Sequence, residues 1–355
     1  MTTLFRTACA VGGLVLFASP AAPQQPGTGA PPVLLLAQGD GAPGRPPLPR
    51  PPGRGAPPSG PWTTEEFRRS VPLGSRGSLE LTALFGSITV TGTDGNVVRI
   101  HALRKVQESN KDFARTVLQN VQVRVTERGG GIEVLTEQPT VRVPIAVDYT
   151  IEVPFATNVS LRSFGGPISV GAVKGELRIE ASGGGDMNLS SVGRVRHAKT
   201  AAGNLTITGA EGDEIIAETL LGRLTVRDVK ARSLELSSIG GPITITDTLC
   251  DRCTAKSLKG SIEFSGSLNP GGRYTFDSDA GDIRFIPGPG VGFDLEAMTS
   301  GTFNNDFPLR AGRTPPPAPG SQGRIFRGVF QDGSAIVSLR SFTGNVSVIR
   351  KSDPR

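Results

Sequence analysis

The run Ser238-Ile-Gly-Gly-Pro-Ile-Thr-Ile-Thr-Asp247 sets a glycine pair directly before a strict apolar/polar alternation. Two readings compete. A glycine-rich loop that opens a helix would cradle phosphate. Alternation with period two instead marks a half-buried strand. No helical pattern follows Gly241, and the same unit returns along the chain. It occurs at Gly165-Gly-Pro-Ile-Ser-Val170, Gly184-Gly-Asp-Met-Asn-Leu189 and Gly203-Asn-Leu-Thr-Ile207. It continues at Gly222-Arg-Leu-Thr-Val226, Gly260-Ser-Ile-Glu-Phe264 and Gly281-Asp-Ile-Arg-Phe285.

Glycines 165, 184, 203, 222, 241 and 260 are each 19 apart, and the step to Gly281 is 21. Self-similarity at a period near 20 is the signature of a stacked repeat. Each period holds a second alternating run, as in Leu177-Arg-Ile179, Leu234-Glu-Leu236 and Tyr274-Thr-Phe276. One repeat therefore reads as strand, corner, strand, corner. Glycine at the corner allows the positive φ that a Cβ resists. The expected fold is an all-β, single-chain β-solenoid with repeats of about 19 residues and two strands each, the regular part covering 164–286. Inward columns are Ile, Leu, Val and Phe. The outward column is Ser169, Asn188, Thr206, Thr225, Thr244, Glu263 and Arg284.

Outside the repeats the pattern loosens. Ser78–Thr82 and Gly86–Val90 predict an earlier coil, continued through Val97–Ile100, and Ala335–Leu339 with Gly344–Ile349 predicts a final one. Residues 109–118 break the alternation and predict one short helix, part of a cover over the open end of the stack.

Composition sorts the rest. The chain has 355 residues with 47 glycines and 29 prolines. The prolines crowd into 22–61, an extended Pro/Gly-rich linker unable to form ladders, and into a loop at 313–323. Before the linker, Arg6, the eleven apolar residues Ala8–Ala18 and the small residues Ser19-Pro20-Ala21 form an export-signal pattern over 1–21. That run is too short to span a bilayer as a helix. No other segment is long and apolar enough, so no transmembrane helix is expected. The expected location is periplasmic, cell-surface or secreted, with residues 62–355 as the folded domain. The formal charge of +6 falls by one once Arg6 leaves, and no Lys/Arg stripe with interleaved aromatics marks a nucleic-acid interface.

From about Phe67 to Ile349 the layout resembles the bacterial β-strand-repeat family known as "putative adhesin", whose biochemical role is undefined. The resemblance rests on Gly86-Ser-Ile-Thr-Val-Thr-Gly92 followed by Asp94-Gly95, and on Val147-Asp-Tyr-Thr-Ile-Glu-Val-Pro154 leading into the repeats. It rests also on Ser300-Gly-Thr-Phe-Asn-Asn-Asp-Phe-Pro308 and the closing Gly344-Asn-Val-Ser-Val348. It implies an exported β-solenoid with an adhesive or scaffold role, and it supplies no catalytic residues. The Pro-rich leader is not part of that pattern.

Few residues offer chemistry. Cys250-Asp-Arg-Cys253 is the one cysteine pair left after signal removal. In an exported protein it reads as a disulfide, with Cys253 in the inward slot of Leu234. A zinc site would need ligands beyond the cysteine pair, and the only histidines are His101 and His197; His197 falls on the column of Ile179 and Leu236, which reads as a packed or edge histidine. Asp277-Ser-Asp-Ala-Gly-Asp282 lacks EF-hand spacing and reads as an ordinary acidic turn. Paired threonines at 206/208 and 244/246 hint at an ice-binding face, but Arg227 interrupts the array and β-branched residues suit half-exposed strands anyway. No catalytic, cofactor-binding or metal residue is assigned. The expected function is a non-catalytic adhesin, scaffold or binding module for a surface ligand such as a glycan or envelope component. Self-association through the stack ends is also expected. The alternative is a β-helix enzyme acting on envelope or extracellular polysaccharide, which needs two outward carboxylates side by side.

Overall fold

The computed structural model describes residues 60–74, 77–311 and 324–351. The expected signal segment, the linker up to residue 59 and the Pro-rich loop 313–323 lie outside the described residues. These contain 26 strands and one helix, arranged in two sheets of 13 strands. From Asn158 to Pro287 consecutive strands alternate between the sheets, and each pairs in parallel with the strand one coil earlier and one coil later.

The alternation read from the opening stretch carries through to burial. Ile243 and Ile245 are fully buried, as are Leu234 and Leu236 of the facing sheet. Each such side chain contributes about 1.5–3 kcal/mol on burial, and the stack forms one continuous core. Towards the C-terminal end the filling becomes aromatic. Phe264 lies 5.4 Å from Phe276 of the other sheet and stacks 5.2 Å from Phe285 on the next coil.

Every stacked corner glycine is needed for space, and Gly166, Gly185 and Gly203 also have the expected positive φ, of 119, 139 and 127°. A Cβ at Gly241 would lie 1.8 Å from the carbonyl oxygen of Gly222 on the preceding coil. Gly222, Gly241, Gly260 and Gly281 are not among the glycines with positive φ. The stacked column is Gly166, Gly185, Gly203, Gly222, Gly241, Gly260 and Gly281, each without room for a Cβ against its predecessor. Gly165 and Gly184 therefore stand one residue ahead of the column, a correction to the even 19-residue spacing. At Gly165 a Cβ would meet nothing nearer than Phe85 at 3.5 Å.

Three residues before most of these glycines a buried hydroxyl ties the corner. Ser238 Oγ donates to the Gly241 carbonyl at 2.8 Å and accepts from its N–H at 3.0 Å. Ser257, Ser278, Ser341 and Thr219 accept in the same way from Gly260, Gly281, Gly344 and Gly222. These turns leave the sheet and lie inside the stack, so their backbone groups need side-chain partners. The opposite corner uses a left-handed residue: Ala172, Ser191, Asp228 and Asp247 have φ of 57, 52, 51 and 48°, and Gly209 has 65°.

The ends depart from chain order. The coil Ser78–Phe85 with Ile88–Thr93 packs directly on Asn158–Gly165 and Ile168–Gly171. Gly131–Glu137 and Ile145–Pro154 lie outside it, paired in parallel. Val97–Gln107, expected to continue the first coil, is instead antiparallel to Ile145–Pro154 and Trp62–Pro72. At the other end Ala335–Ser341 and Val346–Val348 insert between Arg273–Pro287 and the strands Phe293–Thr299 and Phe303–Asn305. The last coil in the sequence is thus not the last in space.

The helix is Lys111–Gln119, close to the expected 109–118. Asn110 caps it, its side chain accepting from the N–H groups of Asp112 and Phe113 at 3.1 Å. Ala114, Val117 and Leu118 form its buried face, which contacts Val97–Gln107 and Trp62–Pro72.

Candidate functional site

The outward face of the repeat sheet is a ladder of short polar side chains. Ser169, Asn188, Thr206, Thr225 and Thr244 are register neighbours on successive coils, followed by Glu263 and Arg284. Beside them run Ser190, Thr208, Arg227, Thr246 and Ser265. Parallel strands place these columns at about 4.8 Å intervals. Such a face offers neutral donors and acceptors in a repeating array. Arg227 projects from it, exposed between Thr208 and Thr246.

The second sheet carries charge, and neutralises it locally. One outward column reads Arg162, Glu180, Lys199, Glu218 on successive coils, and Lys256, Asp277, Arg340 further on. Lys199 lies 3.4 Å from Glu218, and Arg196 lies 2.7 Å from Glu214 in a neighbouring column. These pairs are solvent-exposed and worth little individually to stability. Along the first column charges of opposite sign neighbour one another, whereas Arg252 and Arg273 are like-charged register partners in the same sheet. The pattern was legible at 19-residue spacing in the sequence, but only once a partner register was assumed.

Cys250 and Cys253 are both fully buried and are free thiols in this structure. Cys253 pairs in register with Leu234, as expected, and Cys250 with Ala231. Asp251 and Arg252 between them are exposed, so the chain turns outward and returns within one step. The Cys250 side chain hydrogen-bonds the Cys253 thiol and, together with burial, pushes its pKa well above the usual value. Tyr274 on the next coil covers the pair, donating from its hydroxyl to the Cys250 carbonyl at 3.0 Å. Burial holds that phenol protonated, its pKa raised.

His197 is not on the inward column. A register shift between Leu177 and Arg178 sets His197 against Arg178 and puts Ala198 opposite Ile179, with Ala198 in turn opposite Ala217. Nineteen-residue steps forward from Ile179 and back from Leu236 both reach Ala198, so the expectation for His197 was one residue out. His101 lies in a different strand, with its Nε2 3.6 Å from Glu66, so the two histidines share no site. The acidic turn at 277–282 is used internally: Asp282 Oδ1 accepts from the Asn345 backbone and side-chain amides at 2.7 and 3.1 Å. Among the described residues no group of three or more His, Cys, Asp or Glu side chains is placed to hold a metal ion.

One carboxylate pair does meet across strands. Glu80 and Glu133 are register partners, with Glu80 also bound to Arg162 at 2.7 Å. Asp148 behaves differently. Burial alone would raise its pKa, but hydrogen bonds from Lys105 and from the Ser87 N–H at 2.8 Å outweigh that and hold it below the usual carboxylate value. It thereby pins the corner at Gly86, a structural task. Neither arrangement was found in the sequence, because each joins residues more than 40 apart through the out-of-order N-terminal coils.

No helix among the described residues is long and apolar enough to cross a membrane. No family profile matches the chain, and no curated protein matches it. Solved structures do. A "putative adhesin" from Bacteroides fragilis is 12% identical, the match covering 80% of this chain and 97% of that one, with a TM-score of 0.40. A "putative adhesin" from Parabacteroides distasonis is 9% identical over 82% of this chain and 98% of that one, with a TM-score of 0.38. A "putative lipid binding protein" from the same organism is 10% identical, covering 80% and 96%, with a TM-score of 0.37.

Proposed function

We propose that this chain is an exported, non-catalytic binding module, an adhesin or envelope-associated scaffold, built as one β-solenoid. The observation that carries the reading is the in-register ladder Ser169, Asn188, Thr206, Thr225, Thr244. Its groups are neutral, short and repeated at strand spacing. They suit hydrogen bonding to a repetitive polar polymer such as a glycan, and none of them can take up or release a proton near neutral pH. The export-signal pattern of residues 1–21 supports a periplasmic, surface or secreted location.

Glycan-array binding combined with a degradation screen on the purified protein tests the proposal. Retention of a polysaccharide without product supports it. Weaker retention by a Thr206→Val/Thr225→Val/Thr244→Val variant assigns the face. Product release from any glycan overturns it and favours a polysaccharide-cleaving enzyme, for which Glu80 and Glu133 are the residues to test by substitution with Gln.

A disulfide between Cys250 and Cys253 remains a separate proposal for the protein matured in an oxidising compartment, checked by intact mass under non-reducing conditions. Self-association through the stack ends is another. Its obstacle is the charge on the edge strand Trp62–Pro72, which carries Glu65, Glu66, Arg68 and Arg69 in the manner of protected edges. A strictly monomeric mass by light scattering at high concentration overturns it.

A further inference from the structure

At the C-terminal end of the stack lies a cavity of about 440 Å³, away from both outward faces. Its floor is a box of three rings. Phe293, Phe307 and Phe330 stand at centroid separations of 5.3, 5.4 and 4.9 Å, and Val291 joins them. Phe293 is fully buried, whereas Phe330 is only partly covered, so the aromatic filling of the core opens here.

The rim is cationic. Arg350 and Lys351 line the cavity, and the Arg350 guanidinium is held 5.3 Å from the centre of the Phe307 ring. Ion pairs at this end join Arg327 to Glu296 and Arg340 to Asp277. Among the described residues neither Arg350 nor Lys351 takes part in one, and no carboxylate lines the cavity. Asp306 meets Arg350 only through its backbone N–H, at 3.2 Å. Gln331, also in the lining, has φ of 52° and its carbonyl accepts from Arg310. A non-glycine residue held left-handed is a cost kept where surrounding structure imposes it.

Small-molecule sites have this make-up: several hundred Å³, mostly apolar walls, and a few convergent polar groups. We propose that this chamber binds a small organic carboxylate with a hydrocarbon body, the body in the ring box and the carboxylate between Arg350 and Lys351. The site is independent of the polar ladder and does not rest on the binding reading given to it.

Isothermal titration of the purified protein with octanoate and with octanol tests the assignment. Octanoate is expected to saturate one site, and octanol, with the same tail and no charge, to bind roughly tenfold or more weakly. Arg350→Gln/Lys351→Gln, at two exposed positions, should bring octanoate down to the level of octanol with an unchanged melting curve. Val291→Trp, which fills the chamber, should weaken both ligands. Absence of saturable octanoate binding, equal binding of the two ligands, or a Gln/Gln variant that still prefers octanoate would each overturn the proposal. So would octanoate binding that appears only after removal of residues 352–355, which would make the chain's own terminus the occupant.

Discussion

Gly241→Ala should be among the most damaging single-methyl changes in the protein. Its Cβ would sit 1.8 Å from the Gly222 oxygen and 2.4 Å from the Gly222 carbonyl carbon. Both are backbone atoms on the coil below, so no side chain can swing aside. Restoring ordinary contact needs a separation of about 1.5 Å beyond that present, a large fraction of the roughly 4.8 Å between strands. Such a shift pulls apart the bonds from Gly240 N–H to Leu220 O at 2.8 Å and from Leu224 N–H to Pro242 O at 3.0 Å. Overpacking of this kind costs about 1–3 kcal/mol, and each lost hydrogen bond about 1 kcal/mol, giving about 3–5 kcal/mol. Gly165→Ala is the control. Its nearest contact is 3.5 Å and its φ is not left-handed, so its effect should stay within about 1 kcal/mol. Stacked repeats can unfold in steps, so urea midpoints should be read by circular dichroism beside hydrogen exchange of residues 220–265. A Gly241→Ala protein within 1 kcal/mol of the parent, or one no worse than Gly165→Ala, would refute close stacking as the reason for the glycine column.

Other outcomes follow from the same corners. Ser238→Ala leaves the Gly241 N–H without its buried partner and should cost about 1–3 kcal/mol in the same unfolding assay. Ala172→Gly relieves a φ of 57° and should raise stability by up to about 1 kcal/mol. Asp148 has a pKa depressed in the folded state. Its contribution is therefore present above the ordinary carboxylate pKa of 3.8 and is lost as pH falls through the folded value. Asp148→Asn should cost about 1 kcal/mol at neutral pH and flatten the acid arm of a stability–pH profile below about pH 4. In the reduced protein Cys253, buried with a raised pKa, should resist iodoacetamide while folded and react on unfolding; rapid native alkylation would contradict its placement.

Much of this architecture could be read from residues alone. Period-two alternation selects strands, and its return every 19 residues aligns Ile243, Leu224 and Leu205 into one column, which the registers match. That inference works because the repeats make only nearest-neighbour contacts, so local pattern and three-dimensional neighbour coincide. The outward ladder of the candidate face was legible for the same reason. The corner hydroxyls were also visible, three residues before most stacked glycines, although the sequence reading passed over them.

What the tertiary structure decided is whatever depends on two coils at once. The glycines are required by a neighbouring carbonyl, a fact invisible in either coil alone, and that is why Gly166 and Gly185 belong to the column while Gly165 and Gly184 do not. At both ends the chain places coils out of order, so Glu80 meets Glu133 and Asp148 meets Ser87 across separations that no periodicity encodes. The aromatic chamber near the C-terminus arises likewise, from Phe293, Phe307 and Phe330 converging beside Arg350. Alternation specifies which side of a strand faces inward. Which strand lies next to it at an end is decided by long-range packing alone.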